Sequence, residues 1–136
     1  MFRNKIIVAL IIIGTGLSVY ANDEQDFFGA MKNSYLRILP FYQNTINCTP
    51  YKYTDEDGMI HQIFGLENNV CHIKQGSKNC YFPAGIYSKY GNSGIITTKK
   101  MISDLNNGTF NYSTDYATDT IKLENTYCKL ENMYRR

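Results

Sequence analysis

The chain has 136 residues, with 14 lysines and arginines against 12 aspartates and glutamates, and a formal net charge of +2. This length is that of one small domain and excludes a multidomain enzyme, while 43% hydrophobic residues exclude a disordered chain. The near balance of charge argues against a nucleic-acid partner and against a polybasic membrane-binding surface.

The first element is a predicted secretory signal peptide over residues 1–21. Arg3 and Lys5 precede the apolar run of residues 6–13, and Ala21 supplies the small residue at the exit. The stretch from 6 to 21 is shorter than the roughly 20 apolar residues of a spanning helix. We therefore predict cleavage after Ala21, a single domain over residues 22–136, no stable membrane anchor after cleavage, and a secreted or periplasmic location.

An amphipathic helix is predicted next, over residues 26–46, because apolar residues recur there at steps of three and four. Asn22 or Asp23 is positioned to cap its N-terminus. Pro40 is expected to kink or split this helix, and Pro50 follows its end.

Four short extended segments follow, separated by turn residues, at 51–53, 59–66, 70–74 and 79–82. Short connections join antiparallel neighbours, so these segments predict a meander. The predicted fold class is α+β, with the N-terminal amphipathic helix packed on a three- to four-stranded antiparallel sheet.

The C-terminal third is predicted to be irregular. A short helix over 84–90, a loop at 91–94, a helix capped at Thr98 and a polar loop at 106–118 are expected in turn. The final segment shows helical spacing over residues 116–134, but an edge strand carrying Cys128 fits it equally well.

Four cysteines occur in the chain, and they are Cys48, Cys71, Cys80 and Cys128. An even number in an exported chain predicts two disulfides. If the hairpin turns at residues 75–76, Cys71 lies directly opposite Cys80, and the other two cysteines form the second bridge. A turn at residues 76–77 is equally plausible and shifts that register.

Several short motifs mark the middle and the end of the chain: Cys48-Thr49-Pro50-Tyr51, Ile63-Phe64-Gly65 followed by Asn68-Asn69-Val70-Cys71, Cys80-Tyr81-Phe82, and Tyr127-Cys128-Lys129-Leu130. Together they resemble a loosely defined group of small exported bacterial proteins of unassigned function, with the match covering residues 26–83. The resemblance implies a helix with a cysteine-bearing antiparallel sheet and export from the cytoplasm. It implies no activity.

The two histidines, His61 and His72, are the candidates for metal chemistry. If their strands pair, the imidazoles approach each other, and Asp55, Asp57 or Glu67 would complete a metal shell. No metal-ligand spacing supports this reading. We therefore predict no catalytic residue, no metal ligand and no cofactor.

Tyrosine is unusually abundant, with 12 residues and no tryptophan. Tyrosine combines apolar area with a hydroxyl, so surface clusters mark recognition sites. Compositional bias of an AT-rich coding sequence explains the abundance as well. The candidate interaction surface consists of Tyr51, Tyr53, Tyr81, Tyr87 and Tyr90.

The leading functional prediction is a small, exported, non-enzymatic binding protein whose partner is an unknown protein or an envelope component. A secreted inhibitor or effector that acts on another protein is the first alternative. A small secreted metal-dependent protein or enzyme built on His61 and His72 is the second.

Overall fold

The computed structural model describes residues 17–131. Its elements are α1 Leu17–Thr45, β1 Tyr51–Thr54, β2 Ile60–Glu67, β3 Val70–Gln75, β4 Lys78–Phe82, α2 Ile86–Asn107, α3 Thr118–Tyr127 and β5 Cys128–Leu130. Residues 1–16, which form most of the predicted signal peptide, lie outside the described residues.

The five strands form one antiparallel sheet in the order β1-β2-β3-β4-β5. The α+β fold class and the four predicted strands are confirmed. The sheet has one strand more than predicted, because α2 and α3 return the chain to the free side of β4, where β5 pairs with it. The expectation of an irregular C-terminal third is therefore wrong.

The two faces of the sheet differ in environment. On β3, Cys71, Ile73 and Gln75 are buried, whereas the residues between them are only half-buried. The buried side, here called the inner face, packs against all three helices, with Phe41 of α1 and Tyr90 of α2 fully enclosed. The opposite side, here called the outer face, is exposed to solvent.

Helix α1 differs from its prediction at its N-terminus and at Pro40. It begins at Leu17 instead of being capped at Asn22 or Asp23, and it continues through Pro40 without ending there. Proline removes the hydrogen bond to the carbonyl four residues earlier, at Leu36. Leu36 is exposed, so water can satisfy that carbonyl.

Helix α2 is continuous through residues 91–94, where a loop was predicted. Gly91 and Gly94 lie against α1: a Cβ at Gly91 would be 2.8 Å from the carbonyl oxygen of Tyr42 and 2.9 Å from the amide nitrogen of Ile46. The glycines therefore allow close packing of two helices, and the predicted loop is wrong because this tertiary contact outweighs their low helix propensity.

Two disulfides are present as predicted, and they join Cys48 to Cys71 and Cys80 to Cys128. The predicted pairing is wrong because it assumed a hairpin turn at residues 75–76. The turn lies at 76–77, the alternative considered above, which places Cys71 opposite Phe82. Helix α3 ends one residue before Cys128, so this cysteine lies on the strand β5.

Both bridges are typical of proteins that fold in oxidising compartments outside the cytoplasm. Among the helices of residues 17–131, none combines the length and the apolar character that crossing a bilayer requires.

Candidate functional site

Three aromatic rings are stacked across the outer face of the sheet. Phe64 on β2, His72 on β3 and Tyr81 on β4 have successive ring centroids 4.5 Å apart, at interplanar angles of 17° and 10°. His72 lies directly opposite Tyr81, while an irregularity between Ile63 and Gly65 brings Phe64 beside the imidazole. We call these three residues the ring row.

The rings of this row stand up from the sheet. Parallel rings with centroids 4.5 Å apart are stacked face to face with an offset, because rings lying flat side by side need a larger separation. Phe64 is 47% exposed and Tyr81 53% exposed. Both faces of His72 and one face each of Phe64 and Tyr81 are therefore covered, and the ring edges meet solvent.

A second row of side chains crosses all five strands in register beside the first, and consists of Lys52, Gln62, Lys74, Asn79 and Lys129. Its members lie on the outer face, because the adjacent residues Ile63, Ile73 and Cys80 are buried. Lysine and amide side chains alternate along this polar row. It lies two residues along each strand from the ring row, roughly 6.6 Å away.

The centre of the polar row holds a carboxylate of the chain itself. Glu131 Oε2 lies 2.7 Å from Lys74 Nζ and accepts a hydrogen bond from Asn79 Nδ2 at 3.3 Å. The hydrogen bonds from Lys74 and Asn79 lower the pKa of Glu131. Elsewhere in the row, Lys52 and Lys129 have no ion-pair partner within residues 17–131.

The two rows are joined by one hydrogen bond. His72 Nε2 lies 2.9 Å from Asn79 Oδ1, and since the amide oxygen accepts, the ring nitrogen donates. This bond fixes the orientation of the imidazole between its two aromatic neighbours. The outer face therefore presents a rigid strip of ring edges beside a strip of lysines and amides.

The five predicted tyrosines do not form one surface. Only Tyr81 lies exposed on the outer face; Tyr51 and Tyr87 are half-buried and pack against the core, and Tyr53 stacks on a buried histidine. Tyr90 is fully buried. The prediction of Tyr90 as a surface residue is wrong, because its ring stacks on Phe82 in the core.

The two histidines lie on opposite faces of the sheet. His61 is 6% exposed on the inner face and is hydrogen-bonded to Asp55 and Gln75, each at 2.9 Å, whereas His72 belongs to the ring row. The expected approach of the two imidazoles is therefore wrong. Within residues 17–131, no three potential metal ligands are grouped together.

A chain of hydrogen bonds continues from His61 through the interior. Gln75 Nε2 donates to the Tyr90 hydroxyl at 2.9 Å, and this hydroxyl donates to Glu124 Oε2 at 2.6 Å. Glu124 also binds Lys78 at 2.6 Å. Burial raises the pKa of Tyr90 well above its ordinary value. Because each of these side chains binds another, we assign the network to the stability of the fold.

A groove of about 980 Å³ lies between α2, α3 and the loop that joins them. Its hydroxyl groups are used within the protein: Ser93 bonds to Thr120 at 2.8 Å, and Thr97 donates to the carbonyl of Tyr116 at 3.1 Å. Lysines and aspartates, among them Lys122 and Asp119, also line the groove, which therefore carries charges of both signs.

Both rows of the outer face could be predicted in part from the sequence. The strands were predicted within a residue or two, and a turn at residues 76–77 pairs His72 with Tyr81 and Lys74 with Asn79. Because two turns were equally plausible, the sequence did not determine this cross-strand pairing. The position of Lys129 in the polar row could not be predicted, because no local pattern distinguished β5 from a helix.

No protein-family profile matches this chain, and no curated protein or solved structure matches it either. The resemblance to small exported bacterial proteins therefore stays a prediction.

Proposed function

We propose that this chain is an exported, non-enzymatic binding protein whose contact surface is the outer face of the sheet. The observation that carries the proposal is the exposed ring row of Phe64, His72 and Tyr81, bordered by lysines and amides. A solvent-exposed apolar patch rimmed by polar side chains is typical of an interaction site.

Exposed apolar side chains on two strands support the choice of this surface. On the outer face, Ile60 and Phe64 of β2 are 44% and 47% exposed, and Tyr81 lies two strands away. Cross-strand pairs of this kind contribute only about 0.2–1 kcal/mol each to a sheet. Contact with a partner would remove from water the apolar area that folding leaves exposed.

Export is the second part of the proposal, and it is supported by the two disulfides and by the predicted signal peptide over residues 1–21. The intact mass of the protein recovered outside the cytoplasm tests it. We expect a chain that begins at Asn22 and whose four cysteines react with an alkylating agent only after reduction. A retained leader or free thiols would contradict the proposal.

Site-specific photo-crosslinking in the producing cells tests the binding surface. A photoreactive residue replaces Tyr81 or Phe64 on the outer face, and matched variants carry it at Ile96 or Ile121, which are exposed on helices α2 and α3. We expect a crosslinked product of higher mass from the two sheet positions and none from the helix positions. Products from the helix positions alone, or from none of the four, would refute the assigned surface.

A further inference from the structure

The alternation of charge along the polar row points to the chemical class of the partner. We infer that the outer face binds an acidic polysaccharide that carries a carboxylate on every second sugar and lies across the strands. This inference rests on the proposed binding function and names its ligand. The lysines would pair with the carboxylates, while the amides and ring edges would contact the sugars between them.

The spacing of the lysines supports a polysaccharide. Lys52, Lys74 and Lys129 lie on β1, β3 and β5, and two strand spacings separate successive lysines by roughly 9.6 Å. One pyranose sugar in an extended chain advances by about one strand spacing. A chain that alternates acidic and neutral sugars therefore presents its carboxylates at the interval of the lysines.

Other polyanions fit this interval poorly. An extended acidic peptide repeats its side chains on one face at roughly 6.6 Å. Phosphates of a stacked nucleic-acid strand repeat at roughly 3.4 Å, and the bases need free aromatic faces. Four of the six faces in the ring row are covered by another ring of the row. Spacing and ring orientation thus both favour the polysaccharide.

The side chains between the lysines suit neutral sugars. Gln62 offers an amide donor and an amide acceptor, and Asn79 has a second amide N–H besides the one that binds Glu131; sugar hydroxyls can use these groups. Beside them, the edges of Phe64 and Tyr81 provide apolar contact for the C–H groups of a sugar ring.

Glu131 shows which chemical group the polar row accepts. Its carboxylate bridges Lys74 Nζ and Asn79 Nδ2, the position that we assign to a ligand carboxylate. Glu131 is 43% exposed on its side chain and directly follows β5, so its carboxylate can leave the row without disturbing the core. Ligand binding therefore requires displacement of Glu131, and removing its charge should strengthen binding.

Calorimetric titration with a short oligosaccharide that alternates glucuronate with N-acetylglucosamine tests the inference on the oxidised protein. We expect binding that weakens as salt is added. The double variant Lys52→Gln/Lys129→Gln should bind about tenfold more weakly. A matched double variant of exposed lysines on α2, Lys89→Gln/Lys99→Gln, should bind like the unmodified protein. Equal losses of affinity in both double variants would show that binding depends only on net charge. That result would overturn the assignment of the ligand to the polar row.

Glu131→Gln provides a test of opposite sign. This variant should bind the same oligosaccharide about threefold more tightly or better, while Glu67→Gln, which changes net charge equally at an exposed position off the polar row, should have less effect. Unchanged or weaker binding by Glu131→Gln would overturn the displacement step.

Three further probes complete the test. A neutral chitin oligosaccharide, polyglutamate and a single-stranded oligonucleotide should each bind more weakly than the alternating oligosaccharide. Equal or tighter binding of any of them would overturn the ligand class, as would absence of binding by the alternating oligosaccharide. A crosslink from Tyr81 in cells would then still support the binding surface, so failure of the ligand class and failure of the proposed function are distinguishable.

Discussion

Gly94 of α2 lies directly against the ring of Tyr42 of α1, and a Cβ at this position would overlap three ring atoms. The Tyr42 ring in turn meets Tyr90 edge-on, with centroids 5.9 Å apart. The absence of a side chain at one position thus determines how closely two helices pack, and it places Tyr90 against the sheet.

Gly94→Ala should therefore destabilise the protein by about 1–3 kcal/mol, the usual range for overpacking a close contact. Urea unfolding of the oxidised protein measures the change. Gly29→Ala in α1 is the matched control, because nothing lies within 4 Å of the position a Cβ would take there. That variant should gain about 0.5–1 kcal/mol. Equal effects of the two substitutions would contradict the proposed contact.

Tyr90→Phe should destabilise the fold through the interior network. The substitution leaves the Gln75 amide without its hydroxyl acceptor and Glu124 without one donor, at a cost of about 1–3 kcal/mol. Tyr87→Phe is the control, since the Tyr87 hydroxyl makes no hydrogen bond to any part of the chain the structure describes. Thermal unfolding should separate the two variants clearly; similar melting temperatures would argue against the network.

Asp55 should make stability depend on pH in the acid range. The hydrogen bond to His61 is the main cause that lowers the pKa of Asp55 below 3.8. A lowered folded-state pKa means that the stabilisation is fully present above the unfolded value and disappears as pH falls through the folded value. The free energy of unfolding should therefore decline on acidification.

Asp55→Asn tests this dependence while it preserves the turn. The Oδ1 atom still accepts from the amides of Asp57 and Met59, but the charge facing His61 is removed. We expect this variant to lose less stability than the unmodified protein between neutral and acidic pH. Asp57→Asn, in the same turn, should retain the original pH profile. Identical profiles for all three proteins would show that the Asp55–His61 bond has no such role.

The two disulfides should differ in their contributions. They close segments with sequence separations of 23 for Cys48–Cys71 and 48 for Cys80–Cys128. In the chain-entropy description, they contribute about 3 and about 4 kcal/mol respectively. Paired serine substitutions followed by urea unfolding should show the larger loss for the second bridge. Peptide mapping without reduction checks the pairing itself, and a Cys71–Cys80 peptide would contradict it.

Local pattern predicted most of the elements. Alternation and turn residues located the first four strands within one or two residues, and the apolar spacing located most of α1. The cysteine count predicted two disulfides. These features depend on neighbours in sequence, so the chain determines them without knowledge of its packing.

Register and helix continuity depended on contacts between distant residues. A shift of the hairpin turn by one residue changed the partners of Cys71 and of His72, because every side chain follows the register of its strand. The glycines at 91 and 94 predict a loop when considered locally, but they lie in a helix because α1 requires space there.

The same distinction between local pattern and contacts of distant residues applies to the candidate binding surface. Strand residues such as Lys74 and His72 can be assigned to one face from the sequence, since strand side chains alternate. The residues of the other four strands that lie beside them, and the covering of the opposite face by helices, follow from the folded structure. Cross-strand neighbours are set by register and by burial of the inner face, and both are properties of the assembled sheet.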